Sequence, residues 1–224
     1  MLAFVKALSI GADYIETDVH ASQDGVAVIA HDDNLSRVAG RIVRIDHLTM
    51  AELRRVSLGD GQSFASLAEV LDAFPTARFN IDIKSDDAVE PTVEAILAAG
   101  ALKRVLIASF SDRRRKAAVK RLPGVATSAS RRASGQAAVA ARLGLVPLVR
   151  VALRGVDAVQ IPERLRGVQI ITPQLVASMH AAAVEVHAWT INDVATMERL
   201  LSIGVDGIVT DRADLALELL RKGR

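Results

Sequence analysis

The chain has 224 residues, half of them hydrophobic and 24% charged, with a net charge of +2 and no cysteine. That length can bury a sizeable core in one large domain or two small ones, and the lack of cysteine excludes a disulfide framework and any thiolate nucleophile or metal ligand. No apolar run reaches the ~18 residues that cross a bilayer, no secretory-signal pattern opens the chain, and +2 is too small a charge to argue for nucleic acid; a cytoplasmic setting is expected.

The first residues, LAFVKALSIGA, read as a helix. From there short β-branched, apolar runs alternate with Ala/Leu-rich helical segments to the C-terminus. The strand candidates are 13–19 (DYIETDV), 78–84 (RFNIDIK), 104–110 (RVLIASF), 125–130 (VATSAS), 157–162 (DAVQIP), 185–190 (EVHAWT) and 206–211 (DGIVTD). Near-continuous apolar strands are those of a parallel sheet covered on both faces. Helical segments between them, such as 91–100 and 195–204, end in the glycine that commonly stops a helix. This alternation predicts an α/β class. A chain that begins inside the helix of a βα unit leaves that unit's strand unaccounted for. Seven visible strands plus one give the eight of a TIM (β/α)8-type barrel, with its first strand missing from this chain. An open doubly wound sheet would favour a Gly-rich phosphate loop, and neither G-x-G-x-x-G nor a Walker motif occurs.

Three further features have less specific readings. Residues 11–18 (GADYIETD) and 204–211 (GVDGIVTD) echo one another, as two copies of a helix stop, turn and buried strand would. Residues 26–62 form a long insertion with short elements of their own, and no Pro/Gly/Ser-rich linker divides the chain, so one domain over 1–224 is expected. The basic cluster Arg113-Arg114-Arg115-Lys116 lacks interleaved aromatics and reads as a solvated helix face.

The chemistry concentrates in YIETDVHASQDGVAVIAHDD, 14–33. Residues two apart on a strand share a face, so Glu16 and Asp18 project together. Two uncompensated carboxylates would repel until one took a proton. A cation resolves this, and an all-oxygen ligand set points to Mg²⁺ or Ca²⁺. The strand FNIDIK adds Asp82, with Lys84 two residues on. Three acids and a lysine on strand ends suit a divalent cation and a phosphate; the plainer alternative is loop caps and a surface ion pair. The Asp24-Gly25 turn would fold VAVIA back and bring His31 beside the acids, where it could move a proton. Alternatively His31 is a loop residue bonded to Asp32 or Asp33. His20, His47 and His180 are expected at the surface. His187 shares a strand face with Trp189, the single tryptophan, which is either core or a wall of a ligand pocket.

These residues resemble the glycerophosphodiester phosphodiesterase family. GAD, then I-E-x-D-V, a D-G turn and H-D at 31–32 follow its signature, and FNIDIK is similar to its N-I-E-x-K strand. Ser109-Phe110, WTIN at 189–192 and GVDGIVTDRAD at 204–214 resemble its later strands. The likeness covers most of the chain in the family's order. It implies a TIM barrel and a metal-dependent hydrolase that releases an alcohol and glycerol 3-phosphate from a small glycerophosphodiester. By position it implies that Glu16, Asp18 and Asp82 are metal ligands and His31 one of two catalytic histidines. It likewise implies that Lys84 lies near the phosphate and Trp189 in the substrate pocket.

The sequence departs from the family pattern twice. The His-Arg motif of the first strand and the Pro-Glu-Asn turn after it are absent, which removes one histidine of an acid/base pair. Asp82 also stands where the family usually has Glu, one methylene longer. Two expectations follow: a phosphodiesterase, or a truncated or non-catalytic relative that binds phosphodiester or metal without turnover. Oligomeric state, alcohol group and choice between Mg²⁺ and Ca²⁺ are not specified by these residues.

Overall fold

The computed structural model describes residues 1–222 as an α/β fold in which helices separate mainly parallel strands. The chain divides into two units, one of Met1–Ser9, Asp13–Ser109 and Arg113–Ala126, the other of Ile10–Ala12, Phe110–Asp112 and Thr127–Arg224.

The first unit follows the sequence pattern closely. Helix α1 (Leu2–Ile10) precedes β1 (Tyr14–Ala21), β2 (Ala27–Ile29), α2 (Ser36–Ala39), α3 (Met50–Leu53) and α4 (Leu67–Ala73). Then come β3 (Arg78–Ile83), α5 (Val89–Ala98), β4 (Val105–Ala108), α6 (Asp112–Arg121) and β5 (Ala126–Thr127). The sheet order is β2-β1-β3-β4-β5, with β1, β3 and β4 parallel and β2 antiparallel to β1. Thr49 and Ser66 open α3 and α4 as capping boxes with Glu52 and Glu69, which satisfies amide donors that no helix bond can reach. Phe79 is fully buried between the sheet and helices, with Phe4 edge-on at 6.2 Å. Such a ring pair is favourable beyond its buried area. The Arg104 guanidinium donates to the carbonyls of Leu71, Phe74 and Ala77 and so closes the end of α4. The insertion at 26–62 has its own small core of Val28, Leu35, Ile45, Met50, Leu53, Val56 and Phe64, so it is a built substructure.

In the second unit α7 (Arg131–Arg142) and α8 (Val146–Ala152) lead into β6 (Ala158–Pro162), followed by the two-residue strands β7 (Arg164–Leu165) and β8 (Val168–Gln169). Then come α9 (Pro173–His180), β9 (Glu185–Trp189), α10 (Val194–Ser202), β10 (Gly207–Ile208) and α11 (Ala213–Lys222). The parallel order is β10-β9-β6, and β7 and β8 form a hairpin. The echo between 11–18 and 204–211 has a backbone basis: Gly11 and Gly204 both take positive φ just beyond a helix, a conformation glycine adopts without a Cβ clash.

All seven expected strands are present, three of them clearly shorter than the sequence suggests, the first being 104–110, where β4 covers only Val105–Ala108. In 206–211 the strand ends at Ile208, Val209 still bonds to the backbone of Ala188 and Ile191, and from Thr210 on the Asn192 side chain takes over, accepting from Asp211 N–H at 2.9 Å and Thr210 Oγ1 at 3.0 Å. In 125–130 strand β5 covers only Ala126–Thr127, and pairing continues singly through Ser128 to Ala158.

Candidate active site

Parallel pairing of β1 with β3 sets Glu16 opposite Asn80 and Asp18 opposite Asp82. Four oxygen-bearing side chains thus form two rungs on adjacent strands, and the pleat turns both rungs to one face. Past the end of β3, Lys84 N–H donates to Val19 C=O at 3.0 Å, which holds the lysine in the same alternation. Its ammonium lies 2.7 Å from Asp18 Oδ1 and 2.6 Å from Asp82 Oδ2. This ion pair is largely buried, with Asp18 and Asp82 side chains only 11% and 12% exposed, unlike the surface pair the sequence left open. Burial opposes the charge on Lys84, but hydrogen bonds and charge attraction from Asp18 and Asp82 outweigh it and raise the lysine pKa.

His31 reaches the same place by the expected turn. Asp24 accepts from Ser22 Oγ at 2.6 Å and from Met50 N–H at 2.9 Å, and Gly25 takes φ +74°. The hairpin then pairs Val19 with Ile29, and Ala30 N–H donates to Asp18 C=O at 3.0 Å. His31 follows directly. It lines a hollow of about 270 Å³ together with Glu16, Asp18, Asp32, Asn34 and Arg37. His31 Nδ1 is 2.7 Å from Asp32 Oδ1, and Asp32 also accepts from Arg37 Nε at 2.6 Å. These bonds, His31 first and Arg37 second, hold the Asp32 pKa below its ordinary value. The carboxylate orients the imidazole through Nδ1 and leaves Nε2 as the ring nitrogen it does not engage. With the histidine side chain 70% exposed, that nitrogen is accessible to a ligand.

Two neighbours escaped the sequence reading. His20, expected at the surface, is 9% exposed, with Nε2 3.4 Å from the His31 carbonyl. Burial lowers its pKa, partly offset by the His31 carbonyl bond. Its parity with Glu16 and Asp18 was the available signal. Asn80 is buried, and its Oδ1 and that of Asp82, Oδ1, have no hydrogen-bond partner. Buried oxygens left unsatisfied in this way are unfavourable unless a ligand or ion meets them. The basic cluster is corrected as well: Arg115 is buried, Arg114 donates to the Lys84 carbonyl, and Arg113 pairs with Asp86, so only part of that helix face is solvated. His47 and His180 are exposed, as expected.

A cation fits this donor set. Glu16, Asp18, Asp82 and Asn80 offer oxygen only, as hard divalent ions require, and two of those oxygens are orphaned. Among the described residues no three acids or histidines lie close enough to hold a metal ion by themselves. The Lys84 ammonium lies between two of these acids, Asp18 and Asp82. Trp189 belongs to the second unit. It ends β9, half-buried, with its ring 6.0 Å from that of Phe110.

Several proteins similar to this chain are glycerophosphodiester phosphodiesterases by name. The chain is 46% identical to "Probable glycerophosphodiester phosphodiesterase 2" of Mycobacterium tuberculosis, over 98% of this chain and 84% of that protein. It is 30% identical to a glycerophosphodiester phosphodiesterase of Caldanaerobacter subterraneus, over 99% and 91% of the two chains. The fold matches that of an Oleispira antarctica phosphodiesterase solved with its product sn-glycerol-3-phosphate, with a TM-score of 0.78, 21% identity, and 98% and 89% of the two chains covered. No helix among the described residues is long and apolar enough to cross a membrane. The model of the glycerophosphoryl diester phosphodiesterase family matches residues 1–215, and the chain belongs to that family.

Proposed function

We propose that this chain hydrolyses glycerophosphodiesters to glycerol 3-phosphate and an alcohol with the help of a divalent cation, Mg²⁺ or Ca²⁺, working as one domain with a (β/α)8-type barrel. The observation that carries the reading is the shared hollow: Glu16, Asp18, His31 and Asp32 line one small cavity. Glu16, Asp18 and Asp82, with Asn80 beside them, would hold the cation. When bound, it polarises phosphoryl oxygens and stabilises charge that develops on them.

The chain's own groups supply the rest. Lys84 places a fixed positive charge at the strand ends, where a phosphodiester's negative oxygens would sit. His31 Nε2 moves a proton to the leaving alcohol or from water, and Asp32 stabilises the imidazolium that forms. Arg37 keeps Asp32 ionised and oriented. Trp189 is assigned to the substrate's alcohol end, where a broad apolar ring excludes water. Membership of the family supports a small-molecule substrate in phospholipid and glycerol metabolism and gives no reason to invoke nucleic acid.

A second reading has its own observation. Because the Lys84 ammonium already bridges Asp18 and Asp82 and offsets one of their two charges, the site is also suited to a phosphodiester-binding relative without turnover. One assay separates them: release of glycerol 3-phosphate from glycerophosphocholine in Mg²⁺, in Ca²⁺ and in EDTA. Cation-dependent release supports the hydrolase. Cation binding without release, at any concentration of enzyme, would establish the binding protein in its place.

A further inference from the structure

Charge is distributed very unevenly along the chain. Between Asp112 and Asp157 there is no acidic residue, and residues 113–156 carry eleven lysines and arginines, which leaves the rest of the chain at −9. Five of the eleven, Arg131, Arg132, Arg142, Arg150 and Arg154, lie on α7, on α8 or just beyond it, and all five are exposed. Among the described residues none of the five pairs with a carboxylate; Arg150 instead donates to the Ala181 carbonyl.

The same helix pair presents apolar side chains to solvent. Val139, Leu143, Leu148 and Val151 are 63%, 65%, 54% and 64% exposed. They border, with Leu145, a shallow groove of about 510 Å³ between α7 and α8. The turn joining the helices is Leu143-Gly144-Leu145, apolar where turns are usually polar. The opposite face of α7, through Ala137, Ala140 and Ala141, is buried in the core of the second unit, so the outer leucines and valines are not needed there. Clustered exposed apolar side chains of this kind mark an interaction surface.

We propose that the α7–α8 hairpin docks the protein on an anionic lipid bilayer. The helical spacing puts Arg132 on the stripe of Gln136, Val139 and Leu143, and Arg154 three residues beyond Val151. An apolar centre with a rim of one sign fits a surface that offers hydrocarbon beneath negative headgroups. A second copy of this chain is a poor occupant, because a symmetric contact would set the unpaired arginines against their own copies. An anionic surface meets the same arginines with opposite charge.

The test is co-sedimentation of the whole chain with phosphatidylcholine vesicles containing roughly one-third phosphatidylglycerol, and with vesicles of phosphatidylcholine alone. The proposal expects binding to the first and little to the second, weakened by raising the salt from about 0.1 to about 0.5 M. Arginine near an anionic surface contributes roughly five-fold each, so Arg132→Gln/Arg142→Gln should lower partitioning about 25-fold. Leu143→Glu/Leu148→Glu should lower it at least as far, since each substitution would bring a negative charge to the hydrocarbon boundary. All these positions are exposed, and an unchanged thermal melt confirms that the variants are folded. Failure to bind anionic vesicles overturns the proposal. So does binding that survives both double variants but is lost in Lys116→Glu/Lys120→Glu, which would assign it to the charge of α6 alone. Concentration-dependent dimerisation abolished by Leu143→Glu/Leu148→Glu, without vesicle binding, would overturn it in favour of a second copy.

Discussion

Replacing Lys84 by methionine isolates the electrostatic problem that the β1–β3 pairing creates. In the native chain the ammonium bridges Asp18 and Asp82 at 2.7 and 2.6 Å, with the lysine side chain 24% exposed. Methionine keeps most of the volume and removes the charge, so two nearly buried carboxylates in register are left facing each other. Removing one partner of a buried ion pair typically destabilises by 3–5 kcal/mol. Partial solvent access at Lys84 lowers the expectation here to about 2–3 kcal/mol. For a chain of this size that is a fall in melting temperature of roughly 5–10 °C in EDTA. A divalent cation should restore it, because it supplies the charge that methionine lacks. Saturation at a hundred times Kd contributes about 2.7 kcal/mol. The native chain should gain less from the same cation, because its lysine already offsets one charge of the pair and occupies the space between them. Melting curves of both proteins in EDTA, Mg²⁺ and Ca²⁺ read the difference directly. If Lys84→Met melts with the native chain in EDTA, or if no cation raises its melting temperature, the carboxylates do not form a cation site and the reasoning fails.

Other consequences are equally accessible. His31→Gln should lower turnover of glycerophosphocholine about 10²- to 10⁴-fold with little change in melting temperature, since the ring is largely exposed; a loss under ten-fold would remove His31 from proton transfer. Asp24→Ala takes away the acceptor shared by Ser22 Oγ and Met50 N–H, and urea titration should show a loss of about 1–3 kcal/mol; no loss would show that the turn is set by its backbone alone. Because burial holds His20 below the ordinary histidine pKa of 6.5, the unfolded chain takes up this proton first as pH falls. Stability should therefore decline below about pH 6.5 and level off under the lowered folded pKa, and His20→Gln should flatten that part of the profile in urea midpoints measured from pH 8 to 5. An unchanged slope in the variant would assign the acid sensitivity to other groups.

The parts of the site that can be read from sequence are those fixed by local geometry. Alternation along a strand puts Glu16 with Asp18 and Asp82 with Lys84 before any coordinates exist, and the Asp24-Gly25 turn brings His31 back within a few residues of its origin. What escaped depends on register between strands about sixty residues apart. Only the pairing of β1 with β3 decides that Asp18 meets Asp82 and Glu16 meets Asn80. Asn80 raises no alarm in the sequence, because an uncharged amide in an apolar strand needs no counter-ion. Its importance appears only when its oxygen proves to be buried and unpartnered. The basic cluster was misread for the same reason, since the carbonyl that Arg114 reaches lies thirty residues away at Lys84.

His20 was legible in the sequence by the same alternation. Its parity matches that of Glu16 and Asp18, so it shares their face of β1. Burial at that position follows from the hairpin, because β2 pairs His20 with Val28, which is itself fully buried in the core of the insertion. The insertion at 26–62 therefore does more than lengthen a loop. By covering the end of β1 it buries His20, whose ring meets the His31 carbonyl, while the Asp18 carbonyl holds Ala30 N–H. His31 is thus fixed from both sides at its backbone and by Asp32 at its ring. The role proposed for His31, taking and returning a proton at one position, needs that kind of restraint, and here it comes from a segment whose own small core keeps it folded.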